Sequence, residues 1–212
     1  IETQRAITAE YQELAVRLRQ AGESNELLAS SRTVIERQES LRSSLQTVRE
    51  QSDQLMVFQW ALDQASSDMA RASATARRRR FDPDAVSSSQ DAHNKLSAIQ
   101  ESLAQVIPDE DKRQKTEPGT DEVGNSTVDD TSPATFPLAS LKLIRALQLE
   151  LSRQTEALDQ TSDPVRQGVR RSELAGQQLE LAEKLKMLLE VLQSSPSVNV
   201  PSDPVSGQET QR

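Results

Sequence analysis

His93, in Asp91-Ala92-His93-Asn94, is the single histidine of the chain, and there is no cysteine. A zinc or di-iron centre needs several converging ligands, as in H-E-x-x-H or paired E-x-x-H, and one histidine cannot supply them. His93 therefore reads as a surface residue. The same scarcity removes Ser-His-Asp and Cys-His nucleophiles, thiolate metal sites and disulfides. No G-x-S-x-G, G-x-x-x-x-G-K-[ST] or G-x-G-x-x-G motif is present, so a nucleophile elbow, a P-loop and a dinucleotide fingerprint are all missing. Asp109-Glu110-Asp111 opens like a calcium loop, but Arg113 stands where the next oxygen ligand belongs and Gln114 replaces the turn glycine. It reads as a charged linker. Glu36, Arg37, Glu39 and Arg42 place acids beside bases as on a solvated helix face.

Arg77-Arg78-Arg79-Arg80 is the sharpest electrostatic feature. Such a run can grip phosphates or anionic lipid headgroups. It also falls where cations oppose the negative end of a helix dipole, with acids nearby in 108–137 as partners. Only Phe81 offers a stacking ring, which favours the structural role over nucleic-acid binding. Asn125-Ser126-Thr127 fits an N-glycosylation acceptor within a Ser/Thr-rich stretch and reads as a chance match.

The elements that must carry these residues are helical. Apolar residues make up 34% of the chain and aromatics 2%, too little bulk for a thick core but enough for the thin cores of helical hairpins and coiled coils. Thirty-three acids against 25 bases give a net charge of −8, which offers no general attraction to nucleic acid or anionic lipid. No apolar run approaches the roughly 18 to 20 residues of a membrane span, and no signal peptide is visible. The chain opens on Ile1 in what reads as mid-helix, the expectation being a piece of something longer.

Ile7, Tyr11, Leu14, Leu18 and Ala21 predict a first helix from Glu2 to Ala21, ended by Gly22. Ser24 is suited to cap the next. From Asn25 to Arg80 there is no proline or glycine, which predicts one continuous helix of roughly 80 Å. Its seam is Leu27, Ser31, Val34, Gln38, Leu41, Leu45, Val48, Ser52 and Leu55. A stammer at Phe58 follows, and the seam continues through Leu62, Ala65, Met69, Ala72 and Ala76. Ser31, Gln38 and Ser52 either weaken this packing or fix its register. Phe81-Asp82-Pro83-Asp84 breaks the helix. A third helix, Ala85 to Ile107, then returns antiparallel, setting Leu96 to Val106 against the Leu55 to Ala76 seam. Residues 108–137 lack a period and read as a disordered acidic linker. Leu138 to Asp159 and Pro164 to Gln193 make an αα-hairpin, and 194–212 a flexible tail. The fold class is all-α, with 1–107 a long helical hairpin or coiled-coil region and 138–193 a second helical unit.

Leu141-Lys142-Leu143-Ile144-Arg145-Ala146-Leu147-Gln148, Arg153 to Asp159, Glu173-Leu174-Ala175 and Gln177 to Ala182, with Ala61-Leu62 and Asp68-Met69-Ala70 upstream, resemble exported coiled-coil proteins of planctomycete-type bacteria. Those proteins accompany proton-channel subunits of Tol/Exb-like systems. The resemblance implies a periplasmic or otherwise extracytoplasmic accessory role without catalytic residues; a cytoplasmic location is the alternative.

These readings point to a non-enzymatic helical scaffold or tether, without cofactor or metal, that meets a protein partner or its own kind through helical seams. The seam residues are Leu55, Phe58, Trp60, Leu62 and Met69 in one patch and Leu141, Ile144, Leu147 and Leu151 in the other. Trp60 lies off the main seam, as a second core face or an interface anchor. The alternative is a polyanion- or anionic-lipid-binding accessory protein using Arg77, Arg78, Arg79 and Arg80.

Overall fold

The computed structural model describes residues 1–22, 24–52, 55–79, 81–104, 135–159 and 164–194. Among them the fold is all-α, with helices α1 (Glu2–Ala21), α2 (Asn25–Glu50), α3 (Met56–Arg79), α4 (Pro83–Ala104), α5 (Thr135–Asp159) and α6 (Pro164–Ser194). None of these helices is long and apolar enough to cross a membrane. Most of the 108–137 segment, the 195–212 part of the tail, Asp109-Glu110-Asp111 and Asn125-Ser126-Thr127 lie outside the described residues.

Local chemistry sets several ends as the sequence predicts. Gly22 takes φ 70° and ψ −161°, a combination open essentially to glycine alone, and its amide bonds Leu18 O at 3.2 Å. Ser24 Oγ accepts from Leu27 N at 3.2 Å, capping α2. Asp82, read from the sequence only as part of a helix break, also caps: its Oδ1 accepts from Ala85 N at 3.1 Å, with Pro83 at the first position of α4. Phe81 sits immediately before Asp82 at φ 62°, a left-handed backbone that a bulky residue adopts only under constraint. The constraint is burial: its ring packs edge-on against Tyr11, centroids 4.6 Å apart.

The continuous Asn25–Arg80 helix is not formed. α2 stops at Glu50 and α3 starts at Met56, so there is neither an 80 Å rod nor a stammer. Ser52 Oγ turns back onto Val48 O at 2.8 Å, and the Ser52 amide shifts to Arg49 O at 3.1 Å, the kind of side-chain and short-range competition that ends a helix without proline. The two halves fold back on each other: Arg77 bonds Glu39 near one end and Arg49 bonds Asp63 near the other. Two amphipathic halves thereby cover each other's seams, which a single rod could do only with a second molecule. Two further boundaries move. α4 begins at Pro83 rather than Ala85, and α5 begins at Thr135 with Pro137 inside its first turn, where no intrahelical amide is lost.

The result is three antiparallel hairpins side by side. α3–α4 is the middle one, and its helices are the most intimately paired. α1–α2 closes one side, with α1 against α4 and α2 against α3; α5 lies along α4 and α3 on the other, backed by α6. Small residues let the middle hairpin be covered twice. Ala61, Ala65 and Ala92 are buried with Phe58, Leu62, Met69, Leu96, Leu143 and Leu147 on the α5–α6 side. Ala72, Ala76 and Ala85 are buried with Ile7, Tyr11, Leu14, Val34 and Ile35 on the α1–α2 side.

Candidate functional site

The seam residues are placed inside the chain. Phe58, Leu62, Met69, Ile144, Leu147 and Leu151 are buried in one cluster, with Leu55 packed at its margin and Leu141 half-buried. Trp60 is core on one side and polar on the other, its Nε1 donating to Glu180 Oε2 of α6 at 2.8 Å. In this conformation the helices these seams meet belong to the same chain. The arginine run is divided: Arg77 is held by Glu39 at 2.6 Å, Arg78 lines a cleft described below, and the Arg79 side chain and Arg80 lie outside the described residues. Arg37 reaches Glu10 of α1 at 2.5 Å, so this base joins helices rather than decorating one face.

Two polar networks that sequence reading missed hold α3–α4 to its flanking hairpins. Toward α1–α2 the network is neutral. Gln4 Nε2 donates to Ser89 O and Ser89 Oγ, each at 3.2 Å; Thr8 Oγ1 lies 3.0 Å from Ser89 Oγ; Gln38 Nε2 donates to Gln4 Oε1 at 3.1 Å. Gln4, Thr8, Gln38 and Ser89 are all buried. Gln38 thus meets a partner across the seam, whereas Ser31 bonds its own helix at Leu27 O, 2.7 Å away.

Toward α5–α6 the network is charged. Lys95 Nζ of α4 donates to Asp68 Oδ2 of α3 at 2.5 Å, with side chains 3% and 1% exposed. Asp68 Oδ1 has no hydrogen bond, and Arg71 Nη1 lies 3.9 Å from it. Arg71 bonds Glu173 of α6 at 3.2 Å, and Arg170 bonds Glu173 at 3.1 Å, Asp91 at 2.8 Å and Gln154 at 3.2 Å. Glu150 of α5 accepts from Asn94 at 2.9 Å and Gln154 at 3.2 Å. A cleft of about 710 Å³ opens over this network between α3, α4, α5 and α6.

Burial pushes the Asp91 carboxyl up to about 6, and the nearby Asp68 charge adds to it; Lys95 and Arg170 pull the other way. Such a group in a cleft is a recognised mark of a functional site. His93 is half-buried beside α1 rather than on the open surface, and burial, with Arg5 second, lowers its pKa. Tyr11 is pushed up to about 12, chiefly by burial. Among the described residues no group of three or more His, Cys, Asp or Glu is placed to hold a metal ion.

Part of this was legible. Asp68 lies on the stripe Ala61, Ala65, Asp68, Ala72, and Lys95 on Ser88, Ala92, Lys95, Ile99, Ser102, so opposite charges stand inside two core stripes at heptad spacing. The Asp91–Arg170 contact spans 79 residues and carries no local signal.

The remaining surface feature is an apolar end. Seven of the twelve exposed large apolar side chains, Val48, Met56, Leu138, Met187, Leu189, Val191 and Leu192, stand where α2 ends, α3 and α5 begin and α6 ends. The antiparallel pairings Arg49–Asp63, Trp60–Glu180, Arg71–Glu173 and Arg171–Asp159 bring those helix ends to the same side of the molecule. Along α6 the seam runs from buried Leu174 and Leu181 through partly covered Leu185 and Leu188 to Leu192 at 36% exposure. Comparison with protein-family models, curated proteins and solved structures gives no match.

Proposed function

We propose that this chain is a non-enzymatic helical scaffold that binds a helix of a second molecule, of its own kind or of another protein, at its apolar end. One observation carries this: at the end of α6, where the seam through Leu181, Leu185 and Leu188 reaches Leu192, the flanking Met187, Leu189 and Val191 stand exposed together with it. An amphipathic helix laid there would extend the packing already formed by Leu181, Leu185 and Leu188. Scattered exposed apolar side chains need no explanation; seven at one end do. An extracytoplasmic setting beside a proton-channel complex rests on the resemblance alone. Polyanion contact through Arg77 to Arg80 is the less favoured reading, because Glu39 already engages Arg77.

The test is a solution mass across a wide concentration range, with the double variant Leu189→Glu/Val191→Glu compared at equal helix content. A wild-type chain that self-associates, and a variant that does not, supports a partner of its own kind. For a different partner, the purified products of neighbouring genes are titrated in, and binding that the variant loses supports the reading. If every such protein binds wild type and variant equally, or none binds either, the apolar end is not a docking surface.

A further inference from the structure

The cleft lies at the opposite end of the α3–α4 pair from the apolar cluster and poses a separate question. Guanidinium groups from three helices line it: Arg71 and Arg78 of α3, Arg153 of α5 and Arg170 of α6. Arginine's planar fork suits the oxygens of phosphate-like anions, and the volume is that of a small-molecule site. Two of the four have donors to spare. Arg153 is 77% exposed, and its nearest carboxylate, Glu150, is 3.9 Å away. Arg78 makes no ion pair among the described residues. The hydroxyls of Thr75, Ser87 and Ser88 add neutral donors to the same wall.

We propose that this cleft binds a small polyvalent oxyanion between Arg78, Arg153 and Arg170, and that Asp91 takes up a proton as the anion displaces it from Arg170. The carboxylates around the cleft decide how this happens. Glu173 is engaged by Arg71 and Arg170, and Glu150 by Asn94 and Gln154. Asp84 stands on the first turn of α4. Asp91 is the buried one, and the charges facing it are Asp68 and Arg71 from α3, Lys95 on its own helix, Glu150 and Arg153 from α5, and Arg170 and Glu173 from α6. On the α1 side, Arg19 lines a second, smaller cleft whose wall also includes Asp91. With Asp68 and Glu150 already opposing its charge and little water to screen it, Asp91 is the carboxylate most readily neutralised, its pKa standing at about 6. Once protonated it releases a guanidinium and removes the repulsion an incoming anion would meet. Binding and protonation are therefore linked, and each favours the other.

Sulfate is the probe of choice, because its charge is constant over the range in which Asp91 titrates; inorganic phosphate is the second. Titration calorimetry of the intact chain is run at about pH 5.5 and about pH 7.5 at fixed ionic strength. Wild type should bind sulfate about twentyfold more tightly at the lower pH, the difference expected when one buried carboxyl at about 6 must be protonated. Arg153→Gln and Arg78→Gln should each weaken binding at both pH values, and Arg77→Gln, whose side chain is held by Glu39 outside the cleft, should not. Asp91→Asn should bind at the higher pH as tightly as wild type does at the lower, with no pH dependence. Absence of sulfate and phosphate binding at both pH values overturns the proposal. So does binding that Arg77→Gln weakens as much as Arg153→Gln, or a pH dependence that survives in Asp91→Asn.

Discussion

The two faces of the α3–α4 hairpin are glued by different polar chemistries. Against α1–α2 stands a layer of amides and hydroxyls, Gln4, Thr8, Gln38 and Ser89, bonded throughout except at Gln38 Oε1, and none of them changes charge with pH. Against α5–α6 stands a run of carboxylates and bases, from Lys95 and Asp68 to Arg170 and Asp91, that opens into a cleft. A buried neutral network needs only its hydrogen bonds to be complete, and then it fixes which residues lie opposite one another. A buried charged network must also offset desolvation, so it adds little net stability, yet it is costly to break and responds to protons and ions. The first face suits a permanent joint and the second a site that senses its surroundings.

The largest expected effect separates the two. Lys95→Met alone leaves Asp68 buried without its partner and should cost about 3 to 5 kcal/mol in urea unfolding, whereas Lys95→Met combined with Asp68→Leu should be close to neutral. If the double variant is as unstable as the single one, the pair is a stabilising joint and the contrast fails.

Next comes pH. Asp91 holds its proton to about pH 6 when folded, against an ordinary value of 3.8. The folded chain therefore binds the extra proton between those values. Its contribution is fully present below pH 3.8 and lost as pH rises through about 6, a change of roughly 3 kcal/mol. Asp91→Asn should lose this slope, so that the difference between the wild-type and variant stability curves displays it. A wild-type curve that parallels the Asp91→Asn curve over this window contradicts the raised carboxyl.

Smaller still is the neutral face. Gln4→Met removes the donor to Ser89 and the acceptor for Gln38, leaving buried groups unpaired, and should cost about 1 to 3 kcal/mol at every pH. A cost that varies with pH breaks the comparison from the other side. Val191→Ser, on the exposed apolar end, should change stability by less than about 0.5 kcal/mol, and thermal melting checks it. A larger loss means that this end is already covered within the chain.

How far these faces could be foreseen differs between them. Leu96 and Ile99 fall against the Phe58 to Met69 stretch as the short Phe81–Pro83 break requires, because a brief connection leaves an antiparallel return as the simple option. Gln38 was readable as a polar seam residue, but its partner Gln4 was not, since Gln4 precedes the first apolar residue of the α1 seam. The Arg77–Arg80 run drew the eye through its charge, yet the more heavily buried charges are Asp68, Asp91 and Lys95, single residues among alanines and serines whose burial depends on helices far off in the chain.

Helical character, most of the caps and breaks and the identity of the apolar stripes are written in the sequence, because 3.6-residue periodicity, Ser24, Asp82 and Gly22 act over one or two turns. The fold-back between Glu50 and Met56, the doubled covering of α3 and the meeting of Asp91 with Arg170 were decided only in three dimensions. The reason is that an apolar stripe states that it must be buried without stating against what, and the choice between a partner molecule and the chain's own next helix is made by the whole set of stripes together.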